Sequence, residues 1–142
     1  MRKHGGDGLL VQADVSRPDE VRRMFGEIKA RFGHLDVFVA NARPELATFY
    51  QKPLEITLEA WDHALDSQAK AFLVGAREAA ALMGPGGRIV AVTYAPGART
   101  GTWQPWIAMG AAKAAMEAVV RYFAVTLAYG PPCAATSRTT QS

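Results

Sequence analysis

Three short apolar runs constrain the fold of this chain more than any other feature: Leu9–Ala13, Leu35–Ala40 and Arg88–Val92. Runs of this length with little polar alternation read as strands buried on both faces. Each precedes a stretch of helical period. Val21, Met24, Phe25, Ile28 and Phe32 recur at helical spacing after the first run. A second helix is expected over 57–83, where Ala64, Ala69, Ala71, Gly75, Ala76, Ala79 and Ala80 permit close packing. A third is expected over 106–128. Strands alternating with helices predict an α/β fold, a parallel sheet with helices on its faces.

Local signals set the boundaries. Ser16 is the expected N-cap of the first helix, Pro18 sits in its first turn, and Asp19 and Glu20 suit its positive end. Gly33 is expected to stop it. Pro44 ends the second strand, and residues 45–56 read as a loop. Thr57 opens the second helix, and Gly84-Pro85-Gly86-Gly87 closes it. Tyr94–Pro105 reads as a Gly/Pro-rich loop. The organisation expected is a polar, disordered start over 1–8, one domain over 9–128 and a disordered Ser/Thr-rich tail over 129–142. No repeat and no interdomain linker is visible.

Composition excludes several classes. The chain has 142 residues, enough for one domain with a core. Its net charge of +3 comes from Lys and Arg interleaved with acids, as in DEVRRMFGEIKARFG, which describes solvated helix faces rather than a nucleic-acid patch. Met1 to His4 has no apolar run behind it, so no signal peptide is expected. No apolar run is long enough to span a bilayer, so no membrane partner is expected. A single cysteine, Cys133, forms neither an internal disulfide nor a metal cluster, and no metal is expected. A soluble, cytoplasmic protein is the default.

Four segments, in order, resemble the short-chain dehydrogenase/reductase family. ADV at Ala13–Val15 resembles the family's Asp-Val turn. NAR at Asn41–Arg43 resembles its Asn-Ala-Gly segment. WDHALDSQAKAFL resembles the helix that carries a structural and catalytic Asn. GRIVAVTY followed by GAAKAAMEAVVRYFAVTLA resembles the strand with the catalytic Ser and the Tyr/Lys helix. The resemblance covers roughly residues 9–128. Its last helix is closest in wording to enoyl-acyl-carrier-protein reductases that place Tyr seven residues before Lys. It implies a partial Rossmann-like, doubly wound sheet, NAD or NADP as cofactor, and hydride transfer to a carbonyl or an enoyl thioester of a small-molecule substrate. It also implies a homo-oligomer through helices 57–83 and 106–128.

The resemblance carries over residue by residue. Asp14, Val15, Asn41, Ala42, Arg43 and Lys113 fall at cofactor-binding positions. Lys113, Thr93, Tyr94, Trp106 and Gln68 fall at or beside catalytic ones. The usual Tyr position is Trp106 or Met109, seven or four residues before Lys113. An indole donates a hydrogen bond without titrating near neutral pH, and a thioether donates nothing. The standard proton donor is therefore absent. The serine position falls at Thr93 or Tyr94, and the Tyr94 phenol is a candidate replacement acid, with simple loop packing as the alternative. Gln68 stands for the family's Asn with one methylene more. Arg43, where the family has Gly, either obstructs the cofactor or reaches a phosphate.

Against the family pattern the chain is expected to lack the first βαβ unit, with its Gly-rich pyrophosphate turn, and the last strands. The resemblance puts two strands between Leu9–Ala13 and Leu35–Ala40, a gap of roughly 14 Å at normal strand spacing. Either the two runs re-pair, or the gap is open, or another chain fills it. The enzyme is accordingly expected to be impaired. The alternatives are an inactive relative kept for assembly and a non-functional fragment.

Overall fold

The computed structural model describes residues 5–94 and the backbone of 104–129, with side chains to residue 128. The expected loop after Tyr94 lies largely outside these residues, as do Cys133 and the tail beyond Tyr129. The fold is α/β. Helix α1 (Pro18–Phe32) leads to strand β1 (Val37–Ala40). A short helix α2 (Leu46–Phe49) follows, then α3 (Leu58–Leu65), a π-helical turn (Asp66–Lys70) and α4 (Ala71–Leu82). Strand β2 (Arg88–Ala91) and the long helix α5 (Ile107–Tyr129) complete it.

The two strands pair in parallel, Val37 opposite Arg88 through Ala40 opposite Ala91. Side chains alternate across them. Phe38, Ala40, Ile89 and Ala91 point into the helices, where they meet Phe25 and Ala79 on one side and Phe72, Ala76 and Met116 on the other. The opposite face is uncovered, with Val37 52%, Val39 53% and Val90 45% exposed. Helix α4 can lie close to β1 because Gly75 has no side chain. A Cβ there would come within 2.8 Å of the Phe38 ring. That ring in turn meets Phe25 edge-on, with centroids 5.5 Å apart, a geometry that adds about 0.5–1.5 kcal/mol beyond area burial.

Several boundary signals hold. Gly33 ends α1 at φ 78°, where its N–H donates to the Lys29 carbonyl. Thr57 caps α3, its hydroxyl oxygen accepting from the Ala60 N–H at 3.2 Å. Four readings change. Ser16 does not cap α1, because its hydroxyl and its N–H both donate to the Asp14 carboxylate, and Arg17 takes the cap position. Phe32 is exposed rather than packed. The 45–56 stretch contains α2, whose Phe49 is fully buried. The helix over 57–83 is interrupted by the π-helical turn.

The largest change concerns Leu9–Ala13. It joins no ladder: among the described residues the sheet has two strands, β1 and β2. A strand is defined by its partner, and beside β1 the neighbouring position is a cavity. That cavity is about 360 Å3, lined by Val15, Phe25, Phe38, Asn41, Gln68 and Gly75 among others. The two runs have not re-paired. No described helix is long and apolar enough to cross a membrane.

Candidate functional site

Strand β2 delivers its carboxyl end to the first turns of α5, and the site residues gather there. Lys113 is the buried member, 7% exposed. Its neighbours on α5 are Ala112 and Met116, both buried, so the ammonium reaches out of an apolar helix face. Nζ donates to the Val92 carbonyl at 2.6 Å. Burial pushes the Lys113 ammonium below the ordinary lysine value, because desolvation disfavours the charged form. Thr93 follows, its hydroxyl donating to the Glu117 carboxylate one turn beyond Lys113.

Tyr94 and Trp106 face each other across the top of the helix. Their ring centroids are 6.2 Å apart. Trp106 stacks on Tyr50 at 4.2 Å, and a second cavity of about 290 Å3 opens beside them, bounded by Pro53, Tyr94, Pro105, Trp106 and Gly110. Met109 is buried against Phe49, Ala64, Ala108 and Ala112. Of the two residues that could stand for the family's Tyr, Met109 belongs to the core and Trp106 to the cavity wall.

Gln68 connects this helical layer to the end of β1. It is 2% exposed and sits in the π-helical turn, a rare conformation that widens the helix by one residue. Its Nε2 donates to the Ala42 carbonyl at 2.8 Å and to the Ser67 carbonyl at 3.1 Å. The added methylene of glutamine thus reaches the segment after β1. Asn41, Ala42 and Arg43 are themselves exposed, and Arg43 Nη1 donates to the Pro44 carbonyl at 3.1 Å. Asn41, Ala42 and Gln68 line the larger cavity, while Tyr94 and Trp106 line the smaller one.

Asp14 and Val15 lie apart from the Lys113 cluster, at the entrance to α1. The Ser16 hydroxyl, joined by the Ser16 N–H, holds the Asp14 carboxyl below the usual carboxylate range. Val15 lines the larger cavity. Among the described residues, no group of three or more His, Cys, Asp or Glu side chains could hold a metal ion.

Two residues of the site were not singled out from the sequence. Tyr50 supplies the ring under Trp106, and Glu117 accepts from Thr93. The Phe49-Tyr50 pair in a stretch read as loop was the available signal for the first. Glu117 lies four residues after Lys113, on the same helix face, which was the signal for the second.

The arrangement has known counterparts. The family model described as Enoyl-(Acyl carrier protein) reductase matches residues 1–130. The chain is similar to 1-cyclohexenylcarbonyl-CoA reductase of Streptomyces collinus, 37% identical over 127 residues, which are 89% of this chain and 44% of that protein. Among solved structures, the Bacillus cereus enoyl-acyl carrier protein reductase with NADP+ and an indole naphthyridinone matches with TM-score 0.75 and 27% identity, over 87% of this chain and 48% of that one. The Anaplasma phagocytophilum enoyl-acyl-carrier-protein reductase in complex with NAD matches with TM-score 0.71 and 28% identity, over 88% and 48%. The chain therefore spans about half the length of the relatives it matches.

Proposed function

Because the chain belongs to the short-chain dehydrogenase/reductase family, in the group described by the enoyl-acyl-carrier-protein reductase model, we propose that it carries the nicotinamide- and substrate-side half of an NAD(P)-dependent reductase site. The observation that carries this reading is Lys113, buried at the carboxyl end of β2 and anchored on the Val92 carbonyl. Ligands of open α/β sheets bind beyond the carboxyl ends of the strands. An ammonium has three N–H donors. One is spent on Val92, and two remain for the vicinal hydroxyls of a nicotinamide ribose. The segment 41–43, tied down by Gln68, forms the floor on the β1 side. The pyrophosphate end has no counterpart among the described residues. Gly5 to Gly8 are exposed, and no helix begins on them.

When bound, the nicotinamide supplies the hydride. Tyr94 supplies the proton: its phenol stands at the end of the same strand and lines the cavity where an acyl or carbonyl substrate would lie. Lys113 stabilises the phenolate left behind, and Trp106 forms the cavity wall on which the substrate packs. In this reading the enzyme acts on a carbonyl or an enoyl thioester, with lower efficiency than a relative that keeps Tyr in the Lys113 helix. Tyr94→Phe tests it. Turnover of an accepted substrate should fall by about 10²–10⁴-fold, the usual contribution of a positioned acid. Unchanged turnover rules Tyr94 out.

A second reading has its own observation. Tyr122, Val125 and Leu127 on α5 are exposed, and large apolar side chains on one helix suit a helix–helix interface. In this reading the chain is an inactive relative that assembles through residues 57–83 and 106–128. Titration with NADH and NADPH separates the two: a folded oligomer that binds neither nucleotide supports assembly alone.

A further inference from the structure

Helix α5 carries an ion pair that does not form. Lys113 and Glu117 are four residues apart on one helix face, a spacing at which opposite charges normally meet. The chain forms such pairs elsewhere: Arg23 with Glu27 on α1, in the same cation-first order, and Asp66 with Lys70 in the π-helical turn. On α5 no carboxylate of the described residues lies within salt-bridge distance of the Lys113 ammonium. Burial lowers the Lys113 pKa, and no neighbouring carboxylate raises it back.

Both side chains turn instead to the end of β2. Nζ donates to the Val92 carbonyl at 2.6 Å, and the Glu117 carboxylate accepts from the hydroxyl of the next residue, Thr93. That strand end is fixed, since the Val92 N–H donates to the Ala40 carbonyl of β1 at 3.0 Å. A hydroxyl donating to a carboxylate makes a charge-assisted bond, stronger than one between neutral groups. It commits Glu117 to a partner other than the ammonium. We propose that Thr93 is a positioning residue: its hydroxyl holds the Glu117 carboxylate off Lys113 and so keeps the ammonium's two remaining donors open to a ligand. The ligand-side consequence rests on Lys113 being the ribose contact of a reductase site; the division of partners does not. Without the hydroxyl, Glu117 has two cations one turn away, Lys113 and Arg121. Arg121 is exposed, where a pair gains little. Lys113 is buried, where attraction is screened less. The side chains of a helix also lean toward its N-terminus, which carries Glu117 over the turn of Lys113.

NMR titration of the Lys113 side chain tests this, on the full chain labelled at the lysine ε-carbon, with Lys113→Arg giving the assignment. Thr93→Val keeps the shape of the side chain and removes the donor. It should raise the Lys113 pKa by about one unit or more, the effect of an opposite charge moving close. Thr93→Ser, which keeps the hydroxyl, should leave the parent value, and Thr93→Val combined with Glu117→Gln should return to it. Glu117→Gln alone should also leave it in place, because the carboxylate does not act on the ammonium in the parent. Thr93→Val without a rise overturns the proposal, as does a rise that survives Glu117→Gln. A fall with Glu117→Gln alone does so as well, with Thr93 untouched. Calorimetric titration with NADH and NADPH reads the consequence. Thr93→Val should weaken binding about tenfold, and the double variant should restore it. Binding that Thr93→Val leaves unchanged overturns the proposal too. A folded parent that binds neither nucleotide defeats the reductase reading instead, and the Lys113 titrations still decide which group Glu117 serves.

Discussion

Replacing Gln68 by asparagine restores the residue that the family resemblance places there, and it should harm this chain. The amide would retract by one carbon–carbon bond, so the 2.8 Å contact to the Ala42 carbonyl would stretch to about 4 Å, outside hydrogen-bonding range. Gln68 is 2% exposed, so little water can take the place of the lost partner. A buried polar group left unpaired costs about 1–3 kcal/mol. For a domain of this size that lowers the melting temperature by about 4–12 °C. Differential scanning calorimetry and urea unfolding of Gln68→Asn would read it. Hydrogen exchange should quicken at residues 41–43, whose tether is the bond that is lost. A melting temperature within about 1 °C of the parent would refute the role given to this hydrogen bond, since the penalty is tied to burial and distance.

Three further outcomes follow from the same structure. Lys113 titrates lower in the folded chain than the 10.5 of an ordinary lysine. Between the two values the unfolded chain holds more protons, so stability should climb as pH rises toward about 10.5. Lys113→Met should lose that climb in urea midpoints measured across the alkaline range. Asp14 is also shifted downward, so its contribution is present at neutral pH and lost as pH falls through its folded value. Ser16→Ala should move the Asp14 carboxyl back up in an NMR titration. Thr57→Ala removes the cap on Ala60 and should cost about 1 kcal/mol in urea unfolding.

Much of the frame was legible because its causes are local. Gly33 stops α1 because a left-handed residue is needed there, and Thr57 caps α3 by reaching three residues ahead. The three helices follow their apolar period. What was not legible depends on partners distant in the chain. Gln68 bonds to a carbonyl 26 residues away, and no local pattern announces the π-helical turn that aims it. Leu9–Ala13 has the composition of a strand, but its ladder depends on a neighbour that composition cannot supply. Ser16 was a reasonable cap until Asp14, two residues before it, captured its hydroxyl. At the site, spacing from Lys113 left the Tyr position at Trp106 or Met109, and packing put one on a cavity wall and the other in the core.

The most direct test is calorimetric titration of the folded chain with NADH and NADPH, beside Lys113→Met. The reductase reading predicts saturable binding of at least one nucleotide, lost in the variant while its circular dichroism is unchanged. Binding that survives Lys113→Met, or no binding of either nucleotide by the folded parent, contradicts it.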